Sequence, residues 1–275
     1  MRKQGLMMLI GLATVAWGGL SRADVLSIYD VQSTTSDGDA SIYNGQVHDV
    51  TGGIVTHKWS GFQDRVYLRD PAHPTWGAIM VKDSTVDRSL FNNVGLGDWV
   101  SLTDIYIEEF RGTTVLQYSP TLAPNVGYAV QSTGNPVPDP TLLTAADLIV
   151  PVDHAASEPY ESMIVKLENV TAGQKDLGKA GDNYELIQGA DIAWGTDYMN
   201  IDAGAPYDPR IVTGAQLESI TGVVEQYTKL TDGWDYYQLC TRSAGDIVPE
   251  PATLTLVAAG LCLAARRRRK LSVEP

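Results

Sequence analysis

The sequence predicts an all-β fold: two small β-barrels in tandem, with a short apolar segment at either end. Three observations carry this expectation. Short runs rich in Val, Ile, Tyr and Thr alternate with Gly-, Pro- and Asp-containing turns through residues 46–248. Gly (26) and Pro (14) are frequent in a chain of 275 residues, while 44% hydrophobic content still supplies a packed core. The strand pattern then restarts after the stiff connector Gly134-Asn135-Pro136-Val137-Pro138-Asp139-Pro140. The halving points to two related units of roughly 100 residues each.

Residues 24–45 form a polar lead-in, ordered around Val25 to Tyr29. Asp37, Asp39 and Ser41 have the look of a cation loop, but the bidentate acid of an EF-hand would fall at His48, so a solvated loop is expected. The first barrel is assigned to 46–145. Its first strand spans 47–57, with Gly52-Gly53 marking a bulge or bend. Strands follow at 66–68 and 78–81, then a helical turn within 87–93. The long strand 99–109 keeps a period near two through Val100, Leu102, Ile105 and Ile107, with a slip at Thr103-Asp104. Arg111-Gly112 signals a hairpin, and 114–118 returns. Five strands with a short helix between the third and fourth is the plan of an OB fold.

The second OB-like barrel is assigned to 146–248. A short helix is expected at 144–148, then strands at 163–170, 184–187, 198–201, 217–227 and 234–240, with a turn at 229–233. An immunoglobulin-like sandwich is the alternative for such a strand count.

Residues 1–23 read as a signal peptide. Arg2 and Lys3 precede the uncharged apolar run 5–20, and Ser21-Arg22-Ala23 puts small residues at −3 and −1 of a signal peptidase cut before Asp24. A retained N-terminal anchor is the alternative, although such a run is short against the roughly 20 residues a spanning helix needs. At the other end, Pro249-Glu250-Pro251 precedes an apolar run over 252–265, followed at once by Arg266, Arg267, Arg268, Arg269 and Lys270. As a helix that run reaches about 21 Å, short against a hydrocarbon core of about 30 Å, and snorkelling Arg side chains make up the difference. The cations should stay cytoplasmic, leaving the triplet and the body on the far side. The order of triplet, short apolar helix and Arg cluster over 249–270 resembles the PEP-CTERM sorting signal of Gram-negative bacteria. The resemblance implies handling by an exosortase-type membrane protease, cleavage near the triplet, and passage from the inner membrane to the cell surface or exopolysaccharide matrix. An ordinary C-terminal membrane anchor is the plainer alternative.

A second resemblance covers about 46–248. Val66-Tyr67-Leu68-Arg69-Asp70, Gly77-Ala78-Ile79-Met80-Val81, Gly97-Asp98-Trp99-Val100-Ser101-Leu102-Thr103 and Tyr160-Glu161-Ser162-Met163-Ile164-Val165-Lys166-Leu167-Glu168-Asn169-Val170 are similar to the OB-fold region of secreted bacterial nucleases. Those nucleases continue into a metal-dependent phosphodiesterase domain, where this chain runs into the sorting tail. Asp104 also stands where they carry a Gly. The resemblance implies a fold and not catalysis.

Charge narrows the partners. The formal net charge is −13, but eight of the 20 basic residues lie in the two terminal segments. Residues 24–248 hold 12 basic and 31 acidic side chains, a net of −19. DNA is therefore an unlikely partner, because nucleic-acid affinity comes mainly from Lys and Arg on phosphates. In the first unit Lys58, Arg65, Arg69, Lys82, Arg88 and Arg111 are cancelled one for one by interspersed acids.

Signals for chemistry are sparse. The four histidines, His48, His57, His73 and His154, have no zinc-ligand spacing. No nucleophile elbow or phosphate-binding loop occurs. Carboxylates are abundant, yet abundance alone does not make a glycosidase dyad. Cys262 lies in the tail, which leaves Cys240 alone in the body, read as a small buried hydrophobe. The chain is expected to be non-catalytic and to need no cofactor, with loosely bound calcium left open. Aromatics are the remaining ligand candidates. Trp59, Trp76, Trp194 and Trp234 each neighbour a glycine and could project from barrel rims to stack on sugar rings or bases, the alternative being that they cap the barrels as core. The sequence thus points to an exported surface or matrix protein that binds or scaffolds exopolysaccharide. A carbohydrate-binding module and an accessory nucleic-acid-binding OB protein are the alternatives.

Overall fold

The computed structural model describes residues 25–33, 40–177, 182–204 and 206–251. The signal segment, residues 34–39 with Asp37 and Asp39, and the apolar run and Arg cluster after Pro251 lie outside the described residues.

The first barrel is built from β1 (Val47–Ser60), β2 (Asp64–Arg69), β3 (Ala78–Asp83), β4 (Trp99–Phe110) and β5 (Thr113–Tyr118). The order β1-β2-β3-β5-β4 closes by a β1–β4 pairing, with β3 and β5 parallel. Alternation sets its two faces: Val66, Leu68, Ile79, Val81 and Leu116 point into the core, so Arg65, Tyr67, Met80, Lys82 and Val115 point outward. Both irregularities expected from the sequence are present. At Gly52 φ is +71°, and a Cβ there would fall 1.6 Å from the Val100 carbonyl oxygen, so only glycine lets β1 cross β4 so closely. At Asp104 φ is +48°, and β4 gains one residue relative to β1 between Leu102 and Ile105. That bulge moves the inward set from Val100 and Leu102 to Ile105 and Ile107. Helix α1 (Ile28–Gln32), capped by Ser27, and helix α2 (Ser89–Asn93) close the barrel ends with Ile28, Val31 and Leu90.

The second barrel repeats the plan with β8 (Ile164–Lys175), β9 (Asn183–Gln188), β10 (Asp191–Thr196), β11 (Gln216–Lys229) and β12 (Trp234–Cys240). Its order β8-β9-β10-β12-β11 closes by β11–β8, with β10 and β12 parallel. The strand order and the position of the parallel pair match the first barrel, so both are OB-like barrels and the sandwich alternative falls. Three further strands are edge additions: β6 (Gly127–Ser132) on β4, β7 (Thr141–Leu143) on β8, and β13 (Ile247–Pro249) on β11.

One expected strand is absent. Residues 198–201 form a turn, and the strand that completes the barrel is β10, a few residues earlier. The apolar character of Tyr198 and Met199 comes from a different burial. With Trp59, Tyr67, Met80, Val115, Ile164, Val223 and Cys240 they form an apolar seam between the two barrels. Cys240 is fully buried there, as a small hydrophobe would be. β10 escapes the strand pattern because it carries Gly195, which lies against the ring of Tyr184 where a Cβ would come within 2.4 Å.

Candidate functional site

The seam joins outward faces. On the first barrel it takes β2 and β3, the strands whose outer face commonly meets ligands in OB folds. That face is largely occupied here by β11 and β12 of the second barrel, and the part left open is a cleft of about 410 Å³. Phe62, Phe110, Tyr198 and Tyr227 supply aromatic walls, while Arg65, Arg111, Glu225, Gln226 and Gln238 supply polar edges.

A buried ion pair forms its floor. Arg65 Nη1 donates to Glu225 Oε1 at 2.7 Å and to the Tyr198 hydroxyl at 2.8 Å. Tyr67 donates its hydroxyl to the same carboxylate oxygen at 2.5 Å, and Tyr198 donates to the other oxygen. Arg65 and Glu225 are each 5% exposed. Burial works against the Arg65 charge, but Glu225 and the two phenols outweigh it and hold the guanidinium above its ordinary pKa. Burial, then the adjacent carboxylate, pushes both Tyr67 and Tyr198 upward, so they stay protonated donors.

Two more cations approach the cleft. The Arg111-Gly112 hairpin tip is pinned across the seam, because Thr228 N donates to the Arg111 carbonyl at 2.7 Å and Thr113 Oγ1 donates to the Gln226 carbonyl at 2.9 Å. This holds the exposed Arg111 side chain over the Tyr227 ring, 5.1 Å from its centroid, with Nη1 donating to the Tyr227 hydroxyl at 2.8 Å. Lys82 lies behind the wall, its Nζ 3.0 Å from the Phe110 ring centroid and without a hydrogen-bond partner. Burial lowers its pKa to about 7, with Glu108 only partly opposing. The other three first-barrel cations point elsewhere: Arg88 pairs with Asp64, Lys58 donates to the Val94 carbonyl, and Arg69 donates to the Pro74 carbonyl.

A second buried cluster borders the seam. Glu161 accepts the Thr114 backbone N–H at 3.0 Å and the Gln32 amide at 3.4 Å. Burial, then Glu158 and Glu109, raises its pKa. Glu158 accepts from the Tyr237 hydroxyl, and burial raises Glu109 to about 7. Among the described residues no group of three or more His, Cys, Asp or Glu side chains is arranged to hold a metal ion.

The four tryptophans separate. Trp59 is 8% exposed and belongs to the seam core, under the Arg65 guanidinium. Trp76 is half-buried away from the cleft, its backbone N–H donating to the Pro159 carbonyl at 2.7 Å. Trp194 and Trp234 are half-buried at the two ends of an aromatic row on the second barrel. Centroid separations along Trp194, Tyr236, Tyr227 and Trp234 are 4.7, 5.9 and 5.8 Å, and Tyr227 carries the row into the cleft. Sequence reasoning missed Phe62, Phe110 and Tyr227. A signal existed for Phe62, which is 74% exposed and sits between Gly61 and Gln63 at a hairpin tip.

Of the sorting residues, Pro249 ends β13, Glu250 N donates to the Gln216 carbonyl at 3.1 Å, and Pro251 is exposed. Arg266, Arg267, Arg268 and Arg269 lie outside the described residues. No described helix is long and apolar enough to cross a membrane. Residues 248–270 match the family model of the PEP-CTERM protein-sorting motif. The chain carries a PEP-CTERM sorting motif. The PEP-CTERM motif indicates an exported protein, held at the membrane for sorting by exosortase before release to the surface. No curated protein matches the chain. Among solved structures, the chain is similar to a p204 HINb domain at 12% identity and TM-score 0.33, covering 72% of this chain and 93% of that one. It is similar to a murine DNA-binding protein bound to double-stranded DNA at 9% identity and TM-score 0.31, covering 74% and 97%. It is also similar to a Replication Protein A heterotrimer bound to single-stranded DNA at 9% identity and TM-score 0.27, covering 90% and 72%. The OB-like assignment rests on the strand order and not on these overlaps.

Proposed function

We propose that this exported protein is a non-catalytic binding component of the exopolysaccharide layer, and that the cleft between its barrels is a carbohydrate site. The observation that carries the reading is the cleft itself: exposed or half-buried aromatic faces beside side-chain amides, in a chain sorted to the surface. Aromatic faces stack on sugar rings while amides meet their hydroxyls. Support for a non-catalytic role comes from Glu225. Its carboxylate is consumed by Arg65, Tyr67 and Tyr198, whereas glycoside hydrolysis needs two carboxylates free to act as acid and as base or nucleophile. The covered β2–β3 face and the net −19 disfavour the nucleic-acid alternative. The role needs no cofactor, and any calcium would be loosely held on surface carboxylates. A glycan array probed with the full chain tests the proposal. Retention on oligosaccharides that falls with Tyr227→Ala supports it; absence of retention on every glycan refutes it.

A further inference from the structure

We propose that the inter-barrel cleft is selective for an acidic sugar, a hexuronate unit whose carboxylate is received by Arg111. The proposal rests on the reading of the cleft as a saccharide site and adds the ligand's charge class. Its first support is Arg111. This side chain has no ion pair within 4 Å among the described residues, and unlike Arg69, which is buried and bonds a carbonyl, it is exposed; Arg65, Arg88, Arg210 and Arg242 are each ion-paired. Its single side-chain hydrogen bond goes to a phenol and leaves most of the guanidinium fork unused. In a body of net charge −19, an arginine at the mouth of a cleft with most of its fork unused, fixed there by the pinned hairpin, is a specific placement. A planar fork matches a carboxylate in bidentate fashion.

The second support is the charge behind the walls. Arg65 and Lys82 are cross-strand neighbours on one outward face, and both reach the cleft region from beneath. Arg65 Nε and Lys82 Nζ are buried without acceptors. The carboxylates facing this trio are Glu225, already shared among three donors, Glu108, which accepts from Gln117, and Asp232, which feels Arg111 but is ion-paired with Lys229. The carboxylates beside the cleft are thus each already engaged by other groups. At physiological salt the Debye length is about 8 Å, so a ligand in the cleft meets the exposed Arg111 guanidinium before the distant acidic surface, while Arg65 is balanced by Glu225. Volume sets the ligand's size. About 410 Å³ lies at the small end of ligand pockets and suits one or two sugar rings, not a groove that tracks a nucleic-acid backbone.

The test is isothermal titration of the full chain with a galacturonate trimer, a neutral galactose trimer and a single-stranded DNA 20-mer, at about 0.15 M salt. The acidic trimer is expected to bind at least about tenfold more tightly than the neutral one. Arg111→Gln, at an exposed tip, should remove that preference while leaving the urea midpoint unchanged, and Arg111→Lys should restore part of it. Equal affinity for the two trimers overturns this inference and leaves the saccharide reading standing. Binding of neither trimer overturns both, and tighter binding of DNA overturns both in favour of a nucleic-acid site.

Discussion

Replacing Glu225 by Leu tests the seam directly. The substitution leaves the Arg65 guanidinium buried without its counter-charge, and removes the carboxylate that accepts from the Tyr67 and Tyr198 hydroxyls. Removing one partner of a buried ion pair costs about 3–5 kcal/mol. Each phenol hydroxyl left without an acceptor adds up to about 1–3 kcal/mol, reduced at Tyr67, whose hydroxyl also lies 3.9 Å from Met199 Sδ. A loss of about 4 kcal/mol is therefore expected for Glu225→Leu. The double variant Arg65→Leu/Glu225→Leu exchanges the whole pair for apolar groups that match the surrounding Trp59, Met80 and Val115. Such exchanges are often close to neutral, so the double variant should be more stable than Glu225→Leu alone by about 2 kcal/mol or more. Urea unfolding followed by far-ultraviolet circular dichroism gives all corners of the cycle. A Glu225→Leu loss under about 1 kcal/mol, or a double variant equal to the sum of the singles, would refute the view that desolvated charge governs this joint.

Lys82→Met should raise the urea midpoint at pH 6. Because burial lowers the Lys82 pKa to about 7 from 10.5, the unfolded chain binds the extra proton between those values, so wild-type stability gains from this residue as pH rises through that window, and the variant should lack the gain. Glu109 acts in the opposite sense: its pKa is raised to about 7 from 4.5, so its contribution is full below pH 4.5 and is lost as pH rises to 7. Glu109→Gln should flatten that decline in a pH series of thermal midpoints. Gly52→Ala should cost about 3 kcal/mol or more through the clash with Val100 and the positive φ, seen as a lowered thermal midpoint; a shift within error would remove the closure argument. Intact-mass measurement of surface material should find species lacking Arg266 to Lys270, and a full-length mass there would count against exosortase handling.

The barrels were legible because their signals are local. Period-two runs, the Gly52 bend and the Asp104 slip are written in neighbouring residues, and each appears where the pattern put it. The candidate site was not, because it belongs to neither barrel. Counted along the chain, the first unit's six cations are each matched by an acid. In space they divide, with Arg88 on Asp64 and with Lys58 and Arg69 on carbonyls, while Arg65, Lys82 and Arg111 converge on the seam. Only inter-barrel packing decides which pairs face each other. The same packing made Tyr198 and Met199 resemble a strand: they are apolar for the seam, without a barrel partner. The tryptophan signal was partly informative for a similar reason. A glycine neighbour marks a turn but not what covers it, so Trp59 went into the seam while Trp234 stayed at an edge.

The place of the sorting triplet relative to the second barrel also has a physical logic. Ile247 is 2% exposed and belongs to the barrel core, and β13 is held along β11 with Val248 opposite Ser219 and Pro249 opposite Leu217. Val248, Pro249, Glu250 and Pro251 are exposed, and the Glu250 N–H is the last backbone donor tied to the barrel. A cut upstream of Ile247 would strip a buried isoleucine worth about 1.5–3 kcal/mol and uncover the β11 edge. A cut beyond Pro251 removes no described residue that the barrel uses. Proline at 249 and 251 supplies no amide donor, which weakens pairing of β13 along the triplet. Among the described residues the barrel's backbone hydrogen bonding ends at Glu250, so a cut beyond Pro251 leaves every one of those bonds in place.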